Sequence, residues 1–187
     1  MEKIKVVFLD RDGVINKYPG DLKYVTNVED FNILPNVKPA LEKLTAAGFR
    51  LFVVSNQAGV AKGLYSQQDL NEIDQRMVYE LGDKIRLSEI LYCTHGPEEN
   101  CSCRKPKTGL LDQVFADLKK QGLAVDKANS YFIGDSLLDV ETGQAAGLKT
   151  ILLFSGREKP ENQLHWNLIP DYKVDDLASA VQIIIVS

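Results

Sequence analysis

Short runs of β-branched and aromatic residues alternate with amphipathic stretches along this chain, and the clearest runs stop at polar clusters. Ile4-Lys5-Val6-Val7-Phe8-Leu9 ends in Asp10-Arg11-Asp12-Gly13, and Leu51-Phe52-Val53-Val54 ends in Ser55-Asn56-Gln57. Weaker runs follow at 88–92, 131–133 and 150–153. Strands that are apolar at nearly every position suit a parallel sheet covered on both faces. Helical spacing fills the intervals. Residues 37–47 carry Pro35 near their start and Gly48 just beyond, and 67–81 follow Ser66 as an N-cap. Stretches 110–121 and 139–146 end at Gly122 and Gly147, and 176–184 form a last helix. This order predicts an α/β fold with a doubly wound, mostly parallel, Rossmann-like sheet. At 187 residues, without repeat, low-complexity tract or linker, residues 1–187 are expected to form a single domain.

Bulk properties remove several classes of function. The net charge of −4, with no long basic stripe, argues against nucleic acid as a partner but not against a small phosphorylated metabolite. No apolar run nears the roughly 18–20 residues that cross a bilayer. Residues 4–9 are too few for a secretory h-region, so a cytoplasmic location is expected, with no membrane partner; a monomer is the expected state. The three cysteines lie within 93–103; an odd count in that setting favours a metal site over disulfides.

In open parallel sheets, ligands bind beyond the carboxyl ends of the strands. Those ends carry Asp10–Asp12, Ser55–Gln57, Cys93–His95 and Gly134–Asp135. Asp10 and Asp12 stand two apart, so in an extended segment both carboxylates project to one side, and Gly13 lets the chain turn away. Neighbouring carboxylates repel unless a cation or a shared proton relieves them, and Mg²⁺ prefers such oxygen ligands. A lone Asp-x-Asp is more often a solvated strand end. Here Asp135 can complete the metal site, Asp139 one turn later can orient it, Ser55 can hold a phosphoryl oxygen, and Lys105 can neutralise nucleophile and phosphate.

Cys93-x-His95-x₅-Cys101-x-Cys103 supplies three thiolates and an imidazole, a donor set for tetrahedral Zn²⁺ with no open position. The expected zinc is structural: its last ligand directly precedes Arg104-Lys105, so fixing the loop fixes those cations. A catalytically silent zinc-stabilised binding module would share this loop but would not need Asp10, Asp12, Lys105 and Asp135 together.

The segments Asp10-Arg11-Asp12-Gly13-Val14-Ile15-Asn16, Ser55-Asn56-Gln57, Arg104-Lys105-Pro106 and Gly134-Asp135-Ser136-Leu137-Leu138-Asp139 resemble, in order, the motifs of the haloacid dehalogenase superfamily. The resemblance covers about residues 4–155 and implies a Mg²⁺-dependent phosphatase working through an aspartyl-phosphate. It implies Asp10 as nucleophile and Asp12 as general acid/base. Ser55 and Lys105 would stabilise the phosphoryl group, and Asp135 would bind Mg²⁺ with Asp10 and the Asp12 carbonyl. With no insertion of cap size after Asp12 or between Ser55 and Lys105, a site without a large cap domain is expected.

The zinc loop is similar to those of two superfamily families, phosphatases of heptose 1,7-bisphosphate and of histidinol phosphate. The first and second motifs look closer to the heptose family. That resemblance implies substrate contacts from Asn16, the stretch 19–22 with Asp21, Asn56 and Gln57, with Arg104 reading the substrate, its second phosphate included. Ser136 borders the phosphate, at a position where the heptose family usually has Lys.

Overall fold

A computed structural model describes residues 1–186. In chain order the elements are β1 (Glu2–Ile4), β2 (Val6–Leu9), α1 (Val37–Ala46), β3 (Arg50–Asn56), α2 (Gln67–Leu81), β4 (Leu87–Cys93), α3 (Gly109–Lys120), β5 (Leu123–Val125), β6 (Tyr131–Gly134), α4 (Leu137–Ala145), β7 (Lys149–Leu153), β8 (Tyr172–Val174) and α5 (Leu177–Val186). The main sheet has the order β4-β3-β2-β6-β7-β8, and every pair in it is parallel. The chain winds outward from β2 through β3 to β4, then returns to β6 and continues through β7 to β8. Its direction of winding reverses beside β2, the crevice where such sheets bind ligands.

Alternation along each strand splits the core in two. Val7, Leu9, Val53, Ile133 and Ile151 face α1, α2 and α5. Val6, Phe8, Phe52, Val54 and Phe132 face α3 and the end of α4. Phe8 anchors the second layer, stacking on Phe52 and Phe132 and meeting Phe115 edge-on. Burial of both faces explains why β2 is apolar at each of its positions.

The expected single strand over residues 4–9 divides at Lys5. β1 leaves the main sheet and pairs with β5 in a separate two-stranded parallel sheet. β5 and β8, three residues each, carry too few side chains for a period to register. α2 begins at a capping box: Ser66 Oγ accepts from the Asp69 N–H, and the Asp69 carboxylate accepts from the Ser66 N–H.

No cap domain is inserted among the described residues. The loop between β2 and α1 is pinned by isolated bridges from Asn16 to Asp12 and to Ile33. No helix among the described residues is long and apolar enough to cross a membrane.

Candidate active site

β2 lies between β3 and β6, in register with both: Leu9 is level with Val53 and with Ile133. Asp10, Ser55 and Asp135 therefore emerge at one end of three adjacent strands. They border an open cleft of about 320 Å³ together with Asp12, Asp21, Asn56, Arg104, Lys105 and Ser136.

Lys105 is the electrostatic centre. Its ammonium is buried, 2.9 Å from Asp10 Oδ2 and 2.6 Å from Asp139 Oδ1, and it donates to the Val54 carbonyl at 3.1 Å. Asn56 fixes its backbone by accepting from the Lys105 N–H (3.1 Å) and donating to the Lys105 carbonyl (3.2 Å). One lysine cannot balance three buried carboxylates, yet oxygens of Asp10, Asp135 and Asp139 lie within 4.8 Å of one another. Burial pushes the Asp10 carboxyl up to about 6, with Lys105 pulling down and Asp139 pushing up. Burial drives Asp135 well above its ordinary value, and Asp10 and Asp139 add to the rise. An excess of buried negative charge that only protons can relieve is what a divalent cation with oxygen ligands would stabilise.

Asp135 is held closely. Its Oδ2 accepts from the Arg157 N–H (2.7 Å), and its carbonyl accepts from the Glu158 N–H (2.9 Å). A Cβ on Gly13 or Gly156 would overlap its carboxylate, and Gly13 also has φ +86°. Glycine is required at both positions by close approach, and at Gly13 by the backbone as well.

Asp139 departs from the sequence expectation. Rather than orienting Asp135, it grips Lys105 with one oxygen and caps α4 with the other, accepting from Ser136 N (3.1 Å) and Ser136 Oγ (2.6 Å). The N-terminal position of Asp139 on its own helix explains the turn-back.

The structure places Asn16 and Gln57 differently from the expected substrate contacts. Both are fully buried and neither lines the cleft. Asn16 Nδ2 donates to Asp12 Oδ1 (2.9 Å); Gln57 Nε2 donates to Asp12 Oδ2 (3.1 Å) and to Ser55 Oγ (3.2 Å). Both act on the carboxylate behind the cleft. Burial works to raise the Asp12 carboxyl, but the Arg11 guanidinium beside it, with hydrogen bonds from Arg11, Asn16 and Gln57, holds it below the usual carboxylate range.

Asp21 and Arg104 reach the cleft from its rim. Asp21 accepts from Tyr18 Oη (2.7 Å) and pairs with Arg157 at 3.4 Å, while Arg104 Nη1 donates to the His95 carbonyl (3.2 Å). The sequence reading missed Tyr18, Lys62 and Arg157, which also line the cleft. Arg157 had a signal: Ser155-Gly156-Arg157 follows β7, so the rule applied to the other strand ends extends to it. Ser155 Oγ donates to the Gly13 carbonyl at 2.7 Å, tying this loop to the turn after Asp12.

Beyond β4, ligand atoms of Cys93, His95, Cys101 and Cys103 lie within 4.8 Å of one another. The sulfurs stand 3.1 Å (Cys93–Cys103), 3.4 Å (Cys101–Cys103) and 3.5 Å (Cys93–Cys101) apart, with His95 Nδ1 3.2 Å from Cys103. Four donors around one point, with Zn–S bonds of about 2.3 Å, would be separated by about 3.8 Å. The cluster is slightly tighter than that and needs only a small expansion to hold the ion. Lys107 Nζ closes the loop through the carbonyls of Asn100 (3.1 Å) and Cys101 (2.9 Å) and Asn100 Oδ1 (2.6 Å).

Residues 5–147 match the family model described as polynucleotide kinase 3 phosphatase. The chain belongs to this family of haloacid dehalogenase-like phosphatases. It is accordingly a phosphoric monoester hydrolase. It is 37% identical over 189 aligned residues to the D-glycero-D-manno-heptose-1,7-bisphosphate 7-phosphatase of Chlorobaculum tepidum, covering 97% of this chain and 94% of that protein. The D-glycero-beta-D-manno-heptose-1,7-bisphosphate 7-phosphatase of Haemophilus ducreyi is 38% identical, over 80% of this chain and 82% of its own length. Among solved structures, a D,D-heptose 1,7-bisphosphate phosphatase from B. bronchiseptica, complexed with magnesium and phosphate, superposes with a TM-score of 0.87. It is 29% identical, with 98% of this chain and 99% of that one covered. The phosphatase thus shares its architecture with enzymes of this kind over nearly its whole length.

Proposed function

We propose that the phosphatase removes the 7-phosphate of D-glycero-D-manno-heptose 1,7-bisphosphate by a Mg²⁺-dependent attack of the Asp10 carboxylate. The observation that carries this reading is the convergence of Asp10, Ser55 and Asp135 at adjacent strand ends, with the loop residue Lys105 buried against Asp10. Close relatives named for that reaction support the choice of substrate.

Asp10 offers a carboxylate oxygen to phosphorus, and the resulting aspartyl-phosphate divides hydrolysis into two easier steps. Lys105 balances Asp10 while its ammonium stays within reach of the transferring oxygens. Ser55, whose hydroxyl accepts from Gln57 and bonds the Asp10 carboxyl, can turn its proton to a phosphoryl oxygen. Asp12, once it has taken up a proton from solvent, passes it to the departing sugar oxygen and then takes a proton from the attacking water. Asp10 and Asp135, with the Asp12 carbonyl, would hold Mg²⁺. Bound there, it would offset charge on the transferring phosphoryl group. Asn56 sets the depth of Lys105, and Arg104, Lys62 and Arg157 supply cations at the mouth of the cleft for a second phosphate.

The Cys93–His95–Cys101–Cys103 cluster would hold a structural Zn²⁺, leaving no position open for substrate. Cys103→Ser is expected to release about one zinc per chain and to lower kcat by about tenfold or more, the scale of lost support around a metal-held element. Metal analysis with parallel kinetics checks this. A zinc-free wild-type protein with full Mg²⁺-dependent activity would refute the zinc assignment.

A phosphate-release screen tests the substrate. Both anomers of the heptose bisphosphate belong in it, because relatives named for the beta and alpha forms match at 38% and 37% identity. Histidinol phosphate and simple sugar phosphates complete the panel. The heptose bisphosphate should give the highest kcat/KM, with activity abolished by EDTA and restored by Mg²⁺; preference for histidinol phosphate would overturn the assignment.

A further inference from the structure

Arg11 takes no part in the chemistry above, yet it is fully buried, the largest such side chain among the described residues. A buried guanidinium is costly unless it is paired and hydrogen-bonded. Its partner is Asp12: Nε lies 3.1 Å from Oδ1 and Nη2 lies 3.2 Å from Oδ2. The same two oxygens also accept from Asn16 and Gln57. Tyr65 Oη locks the Gln57 amide by donating to its Oε1 at 2.5 Å. A carboxylate has about four acceptor positions, so protein donors saturate Asp12. To carry a proton to a substrate oxygen it must give up at least one of these bonds and take up a proton from solvent.

The far side of Arg11 shows what eases that exchange. Its third nitrogen, Nη1, makes no hydrogen bond, and Cζ lies 5.5 Å from the centroid of the Tyr92 ring. Tyr92 Oη in turn donates to Asp74 Oδ1 on α2 at 2.5 Å. A second carboxylate thus stands behind the guanidinium, one aromatic residue away. A second anion behind the cation repels the first, so the first is held less firmly than it would be by the cation alone.

We propose that Arg11, Tyr92 and Asp74 form a positioning chain for Asp12. Arg11 aims the carboxylate, and the charge of Asp74, relayed through Tyr92, loosens that grip enough for Asp12 to turn to the leaving oxygen. This rests on the reading of Asp12 as the proton donor to that oxygen. Without Asp74's charge, Arg11 holds Asp12 too tightly; without Arg11, Asp12 loses its aim. Either change slows departure of a leaving group that needs a proton.

The leaving group separates this role from a purely structural one. A sugar alkoxide departs poorly unless protonated, whereas p-nitrophenolate departs unaided. The experiment follows single-turnover leaving-group release from heptose 1,7-bisphosphate and from p-nitrophenyl phosphate. It compares wild type, Asp12→Ala, Arg11→Met and Asp74→Asn. Asp12→Ala should lose about 10²–10⁴-fold on the sugar phosphate and far less on the aryl phosphate. Asp74→Asn keeps the Tyr92 acceptor and removes only charge. It should slow the sugar phosphate about three- to tenfold, with half-saturation unchanged and the aryl rate within about twofold. Arg11→Met should show the same selectivity more strongly. Should the buried Arg11 variant fail to fold, Asp74→Asn, on a partly exposed helix position, decides. Equal slowing of both substrates by Asp74→Asn, or no slowing of either, overturns the chain while a selective Asp12→Ala leaves the acid reading standing. A non-selective Asp12→Ala overturns the acid reading and the positioning chain with it.

Discussion

Asp10→Asn is expected to lower kcat by at least about 10⁴-fold while leaving the protein folded. The amide keeps the shape of the carboxylate and can still accept from the Arg11 N–H, which reaches Asp10 Oδ1 at 2.7 Å. It cannot form the aspartyl-phosphate. Two opposing effects on stability nearly cancel. The ion pair with Lys105 is lost, but Asp139 still holds the ammonium at 2.6 Å. In return, a buried carboxylate whose ionisation is resisted by burial becomes neutral. The thermal midpoint should stay within about 4 °C of wild type, the shift produced by roughly 1 kcal/mol in a chain of this size. Calorimetry beside steady-state kinetics checks both halves; an active variant would remove Asp10 from the nucleophile's role.

Lys105→Met has the opposite profile and damages the fold as well as the chemistry. It removes the cation that contacts both Asp10 and Asp139, leaving carboxylates buried without a counter-charge. Breaking one side of a buried pair costs about 3–5 kcal/mol, far more than the pair contributes net. The loss should depend on pH with a definite sign. The Asp10 carboxyl, already raised by burial, rises further without Lys105. A carboxyl raised in the folded state binds protons there that the unfolded chain does not, so stability falls as pH climbs through that range. Denaturant melts should show a larger deficit at pH 8 than at pH 5. A pH-independent loss would mean that missing packing, not missing charge, is responsible. Turnover should fall by about 10²–10³-fold, the scale of one lost donor to a developing anion.

Much of the fold was legible because it depends on local signals. β2 and β3 are apolar at almost every position since both faces of the sheet are covered, and α2 starts where Ser66 and Asp69 spell a capping box. The convergence of Asp10, Ser55 and Asp135 followed from one topological rule about strand ends. The clustering of Cys93, His95, Cys101 and Cys103 was legible from donor chemistry and spacing alone.

What the sequence hid depends on direction and on distant neighbours. Nothing local shows that Lys5 ends one strand and lets β1 leave for β5, because that pairing joins residues over a hundred positions apart. The side chains of Asn16 and Gln57 point behind Asp12 rather than into the cleft, a choice made by the buried Arg11 and by Tyr65. Asp139 was placed in the right cluster but with the wrong neighbour, since helix capping turned one of its oxygens toward Ser136 and left the other for Lys105. Spacing finds the groups that can meet. Their hydrogen-bond partners decide which ones do.

The central claim is that phosphorus is transferred to the carboxylate of Asp10. Borohydride reduces an acyl phosphate to an alcohol, so quenching a single turnover with it should convert the aspartyl side chain that carried phosphate into homoserine. Peptide mass spectrometry should find that conversion at position 10, dependent on substrate and on Mg²⁺. Homoserine at position 12 or 135, or complete turnover with no reduced residue, would contradict the account.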